Sequence, residues 1–370
     1  MVAINSAYST TTYYQAAASI LAAGTTSTTS DADATTTGST EQAATSVTLS
    51  DAALAALATK DFATVVADTR AKLTALLRAA DRTSPLEGDR LALDLSSLDA
   101  RELFAMASDD SFTEDEQEAA GLEMQRRFEA ALAGPAALAD VTGNFTGLYK
   151  AAADYLDSLG PEEKAGADWI AGRAAITDAQ KQLQADPKTM PDAGEDDPVV
   201  LYLALVEAGQ TAQPTNIADV ATTARKTLDS LYADAIKAGK APTFNKATTV
   251  GTYIDLSKFD SRSLSAIALN TGDKFTAEEV RQAETALRAK SGAALLAGFQ
   301  NAAKSSDPTA FSQNIISIYS SMSAEERQAA GWSDQFYQAA LASYESTSKL
   351  TQMFADAGGD STGFLSWMGK

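Results

Sequence analysis

The 370-residue chain contains no cysteine and no histidine. Without histidine the protein has no imidazole base, no Ser-His-Asp triad and no His-ligated zinc of its own. Without cysteine it has no thiolate nucleophile, no Fe–S ligand and no disulfide. Basic residues are also scarce, with 29 Lys and Arg against 49 Asp and Glu, a formal net charge of −20. Nucleic acid and anionic membrane surfaces recruit lysine and arginine, so this charge balance argues against both as partners. It favours a soluble monomer or weak self-association. No stretch reaches the roughly 20 apolar residues that span a bilayer, so no transmembrane segment is expected. Nor do the opening residues read as a secretory signal, because the first basic residue is Lys60 and such signals carry a basic segment before the apolar one.

Aromatics make up 7% of the chain, and alanine supplies much of its apolar content. Alanine mixed with Leu, Glu, Gln, Lys and Arg favours helix, because these side chains lose little rotamer freedom there. The expected fold class is all-α. Residues 1–45 form a Ser/Thr/Ala-rich arm with too little apolar bulk to offset ordering entropy, and are expected to be disordered. A short helix from about Tyr13 is compatible with Ile20 and Leu21.

The rest of the chain compares with itself. Asp94-Leu-Ser-Ser-Leu-Asp-Ala-Arg-Glu-Leu103 aligns with Asp255-Leu-Ser-Lys-Phe-Asp-Ser-Arg-Ser-Leu264. After a two-residue slip, Phe112-Thr-Glu-Asp-Glu116 meets Phe275-Thr-Ala-Glu-Glu279. Further on, Pro161-Glu-Glu-Lys164 with Trp169 meets Ala324-Glu-Glu-Arg327 with Trp332; upstream, Arg70 meets Arg225. The reading is two diverged copies of one compact multi-helix unit in tandem, over 46–185 and 199–350. A linker rich in proline and acids (186–198) separates them, and a tail (351–370) ends in the apolar Phe364-Leu-Ser-Trp-Met368. Apolar spacing predicts helices across about 50–80, 98–107, 113–133, 147–159, 161–184 and 220–236.

Several motifs invite a chemical reading. Asp94, Asp99 and Arg101 recur as Asp255, Asp260 and Arg262. Two acids beside an arginine could form a catalytic carboxylate pair with an anion clamp. The structural alternative is a helix N-cap at Asp94 or Ser96 and an arginine that pairs with a nearby carboxylate to fix an inter-helix angle, and the recurrence in both copies favours it. Trp169 and Trp332 are expected in cores. Thr113 with Glu116, Thr276 with Glu279, and Ser323 with Glu326 have capping-box spacing, while Gly160-Pro161 offers a glycine N-cap with proline at N1.

The loops before Glu116 and Glu279 resemble the rear half of a calcium-binding loop, with Asp109, Asp110 and Glu116 as candidate ligands. Counting back from Glu116 puts Ala105 at the first ligand position and Asp110 where glycine belongs, so two requirements fail. No phosphate loop and no zinc-protease or nucleophile-elbow motif occurs. No cofactor, resident metal or enzymatic activity is expected.

The arm is similar in composition to the uncleaved N-terminal export signals of flagellar and type III substrates, and Met1-Val-Ala-Ile-Asn5 resembles flagellin N-termini over those few residues. The long heptad-rich terminal helices of a filament subunit are missing. The resulting expectation is a non-enzymatic interaction or structural protein with protein partners, exported without a Sec signal. A cytoplasmic adaptor gripping partner helices is the alternative, and a carboxylate-based enzyme stands third.

Overall fold

The computed structural model describes residues 60–358, and side chains as far as Met353. The expected arm, the start of the 50–80 helix and the Phe364–Met368 patch lie outside these residues. The described chain is mostly helical, with only two short strand pairs. No helix in it is long and apolar enough to cross a membrane.

In chain order the elements are α1 (Phe62–Ala80), β1 (Leu86–Glu87), β2 (Arg90–Leu91), α2 (Ala100–Ser108), α3 (Glu114–Thr142), α4 (Thr146–Asp157), α5 (Pro161–Lys164), α6 (Ala167–Ala185) and α7 (Pro198–Ala208). They continue with α8 (Ile217–Lys237), β3 (Ala241–Thr243), β4 (Gly251–Tyr253), α9 (Ser261–Ala268), α10 (Ala277–Lys304), α11 (Ala310–Ser321), α12 (Ala324–Ala330) and α13 (Asp334–Gly358). Single 3₁₀ turns occupy Leu256–Lys258 and Thr271–Asp273.

The described residues form two compact units that interleave along the chain. One takes 60–129 and 149–226; the other takes 130–148 and 227–358. Helices α3, α4 and α8 therefore contribute residues to both. In the first unit, Leu73 of α1 and the hairpin residues Leu86 and Leu91 pack with Leu93, Leu95 and Leu98. Leu103, Phe104 and Met106 of α2, and Ala119, Ala120 and Met124 of α3, complete this core. In the second, Ile315, Ile316 and Tyr319 of α11 meet Trp332 and Ala340 of α13, with Leu138, Leu295 and Tyr337 against them.

Three element boundaries differ from the pattern-based expectation. Helix α3 was expected to stop near Ala133, ahead of Gly134-Pro135, but continues to Thr142. Proline inside a helix forfeits a backbone hydrogen bond and clashes with the preceding turn, at about 3 kcal/mol. The continuation buries Leu132 and Ala139 and sets Leu138 against the second core, which offsets that cost. The expected 161–184 helix is two, α5 and α6, broken at Ala165 and Gly166, with Gly166 as N-cap of α6. Helix α7, unanticipated, follows directly on the irregular segment 186–197. Its signals were legible: Asp197 at N-cap, Pro198 at N1 and Gly209 in the left-handed conformation as C-cap. Its almost wholly apolar sequence, PVVLYLALVEA, with Glu207 alone charged, hid the helical period.

Two glycines let helices of the second unit approach closely. A Cβ on Gly134 of α3 would lie 2.6 Å from the Ser317 carbonyl oxygen of α11. One on Gly298 of α10 would lie 1.9 Å from Asn314 Oδ1 of the same helix. Helix α11 is thus seated against glycine on two other helices.

Candidate functional site

Of the paired acids, Asp99 and Asp260 are helix N-caps and Asp255 caps a single 3₁₀ turn, so the cap expected at Asp94 or Ser96 lies instead at Asp99. The Asp99 side chain accepts from the Glu102 amide at 2.8 Å, and Glu102 returns the bond to the Asp99 amide at 3.0 Å. Asp260 accepts from the Ser263 amide at 2.7 Å and from its hydroxyl at 2.8 Å. Asp94 accepts from the Ser96 amide, and Asp255 from both the amide and the hydroxyl of Ser257. The Ser257 hydroxyl bond holds the Asp255 carboxyl below its usual range.

The arginines tie elements together. Arg101 on α2 makes a two-pronged pair with Glu162 on α5: Nε donates to Oε2 at 2.8 Å, and Nη2 donates to Oε1. That bond lowers the Glu162 pKa and raises that of Arg101. Arg262 on α9 likewise reaches the start of α12, donating to the Ser323 hydroxyl at 3.0 Å and standing 3.7 Å from Glu325. The hollow lined by Lys60, Val65, Asp68, Asp99, Arg101 and Glu102 measures only about 10 Å³, room for about one water.

Of the calcium candidates, Glu116 and Asp109 are engaged otherwise. Arg70 Nη1 donates to both oxygens of Glu116, at 2.9 and 2.8 Å, and Glu116 Oε2 also accepts from the Thr113 amide at 2.8 Å. The Arg70 guanidinium lies over the Phe112 ring, 3.9 Å from its centroid. Asp109 ends α2 and accepts from the Ser111 amide, while Asp110 is exposed. Among the described residues no three acidic side chains gather as a metal site would require.

The two tryptophans sit differently. Trp332 is buried, edge-on to Phe336 at 5.2 Å, whereas Trp169 is half-buried and donates its indole N–H to the Leu156 carbonyl at 2.9 Å. The corresponding strand pairs also differ: β1–β2 is antiparallel, and β3–β4 is parallel.

Comparison with known proteins finds no matching family model, no matching curated protein and no matching solved structure.

The residues with the most altered chemistry escaped the sequence reading. Glu123 of α3 is almost fully buried. Burial opposes its ionisation, but Arg126 on both oxygens and Arg127 on Oε1, all at 2.7 Å, more than offset this and hold its pKa down. Glu163 has no such help. Burial raises its pKa to about 8, Lys164 only partly opposes this, and its Oε2 lacks a hydrogen-bond partner.

Desolvation, with the Glu163 charge second, also raises the Tyr155 pKa; the Tyr155 hydroxyl donates to the Met124 carbonyl at 3.3 Å. In the same unit, Asp197 is wholly buried, accepts from the Val199 amide at 2.9 Å, and takes the Tyr149 hydroxyl at 2.7 Å. Burial first, then this bond, drives the Tyr149 pKa upward. The Asp-Asp-Pro spelling before α7 carries a cap signal at Asp197 that the reading of 186–198 as a linker passed over. Nothing local marked Tyr149, 48 residues away, as its partner.

Proposed function

We propose that this chain is a non-enzymatic interaction protein that binds protein partners through helix surfaces of the second unit. The observation that carries the reading is an apolar cluster left in solvent. Leu296 and Phe299, one helical turn apart on α10, are 56% and 58% exposed. Phe299 packs edge-on against Phe311 of α11, with ring centroids 5.9 Å apart. Neighbouring apolar groups in solvent mark an interaction surface when they form a patch. The acids and arginines that a catalytic reading needs are occupied in caps and inter-helix pairs, which further supports a binding role.

The two-copy reading belongs to the same proposal. Its support is the repeated economy of Asp99 with Arg101→Glu162 and Asp260 with Arg262→Glu325; the unlike tryptophans and strand pairs count as divergence. Export through the 1–45 arm, with residence outside the cell, is part of the proposal too and rests on composition alone.

The experiment is quantitative affinity capture from the native host, with wild-type protein beside Leu296→Ser/Phe299→Ser. Stoichiometric partner recovered by wild type and lost by the variant supports the reading, while equal recovery by both removes the patch from it. Fractionation of the host with and without residues 1–45 tests export. Full-length protein in the medium, with the truncated chain retained, is the expected result.

A further inference from the structure

A hollow of about 200 Å³ opens in the second unit, lined by Tyr232 of α8, Pro242 and Thr243 of β3, Phe244 just after it, and Glu278 in the first turn of α10. The Tyr232 and Phe244 rings stand 6.5 Å apart at 76°, two aromatic walls set nearly square. Aromatic faces carry negative quadrupole density and attract cations. Tyr232 is biased further in this direction: its hydroxyl donates to Glu279 Oε1 at 2.6 Å, which polarises the phenol and enriches its ring. Glu279 is buried and held in place, because Oε2 accepts from the Thr276 amide at 2.7 Å. Glu278, by contrast, keeps a 58% exposed side chain at the hollow, with Arg281 approaching only to 3.9 Å from the next turn. An exposed pair at that spacing is weak and readily exchanged.

The wall bearing Phe244 is firmly positioned. The Ile254 amide donates to the Thr243 carbonyl at 2.8 Å, and the Asn245 amide to the Thr243 hydroxyl at 3.1 Å. Glycine at 251 permits β4 to lie against β3, since a Cβ there would sit 2.8 Å from the Ala241 carbonyl oxygen. Seven residues after Arg70, α1 carries Leu77; seven after Arg225, α8 carries Tyr232. The aromatic lining is therefore particular to the second of the two similar segments.

Two aromatic walls, an apolar proline and a carboxylate at the edge favour a cation with an apolar stem, and the net charge of −20 adds long-range attraction for it. We propose that this hollow receives an arginine side chain of a partner protein. The planar guanidinium can stack on one ring while donating two bonds to Glu278, which an ammonium cannot do. The inference rests on the interaction reading above and adds to it the chemistry of the partner's anchor.

The test is an NMR titration of the full chain, labelled in its aromatic rings, with the blocked peptide acetyl-Gly-Arg-Gly-amide. The control carries citrulline, the neutral isostere. Saturable shifts of the Tyr232 and Phe244 rings with the arginine peptide alone are expected. Affinity should weaken roughly threefold to thirtyfold in Phe244→Ala, as for loss of a cation–π partner. Glu278→Gln alters only an exposed side chain and should weaken binding without disturbing the fold. Equal shifts from both peptides, or unchanged affinity in Glu278→Gln, would overturn the proposal. Peptide binding without capture of any host protein sinks the interaction reading and leaves the cation site standing. Capture that depends on Leu296 and Phe299, with no peptide binding, does the reverse.

Discussion

Glu163 is the residue whose environment most affects the energetics of the first unit. At Ser323 and Glu326 the capping box closes on itself, with Glu326 accepting from the Ser323 amide at 2.9 Å. At the matching position Gly160 has no side chain with which to complete a box, and the Glu163 carboxyl turns into the protein with one oxygen unbonded. Its folded pKa of about 8 lies above the ordinary 4.5. The folded state therefore binds more protons than the unfolded state between those values, and this contribution to stability is fully present below about pH 4.5 and is lost as pH rises through about 8. Glu163→Gln should flatten that decline and stabilise the protein at pH 8 by on the order of 2 to 3 kcal/mol, after allowance for residual solvent screening. Urea unfolding of both proteins at pH 5 and pH 8 measures it; parallel pH profiles would show that the carboxyl is not strained. At Gly134 the expectation has the opposite sign. Alanine gains about 1 kcal/mol of helix propensity, yet meets a backbone carbonyl that cannot rotate away. The net result should be a loss of about 1 to 2 kcal/mol, read as a lower denaturation midpoint for Gly134→Ala.

At the scale of elements, the arginine clamps decide how short helices are held. Helix α5 has four residues and no apolar side chain in the core, so Arg101–Glu162 is its main tie to α2. Both partners are largely shielded, at 12% and 21% side-chain exposure. Arg262 and Glu325 are farther apart, and Glu325 is 37% exposed. Double-mutant cycles should separate the two cases. Arg101→Met with Glu162→Gln should show about 2 kcal/mol of coupling, and Arg262→Met with Glu325→Gln no more than about 0.5 kcal/mol. Equal couplings would mean that distance and shielding do not govern these clamps. The recurrence of Asp99-Ala-Arg101 and Asp260-Ser-Arg262 made the arginines visible from sequence, and their structural role was the favoured reading. The buried Tyr149–Asp197 bond was invisible, because a hydroxyl and a carboxylate 48 residues apart leave no periodic trace.

For the whole molecule, the imbalance of 49 acids over 29 bases acts on every element at once. Like charges repel most in the compact state, and salt screens them over about 8 to 10 Å at physiological strength. Thermal stability should therefore rise between 10 mM and 150 mM sodium chloride, by several degrees in melting temperature. A fall would show that the attractive pairs outweigh the net repulsion.

The helical class, the caps at Thr276 and Ser323, and the exclusion of imidazole and thiol chemistry follow from residue types and short spacings, so the chain alone determined them. The persistence of α3 past Pro135, the split of α5 from α6 and the burial of Glu163 depend on which distant surfaces meet. So do the interleaving of the two units and the aromatic hollow of Tyr232 and Phe244. Tertiary packing decided these, because a cost of a few kcal/mol at a proline or a carboxyl is accepted only where contacts remote in sequence return more.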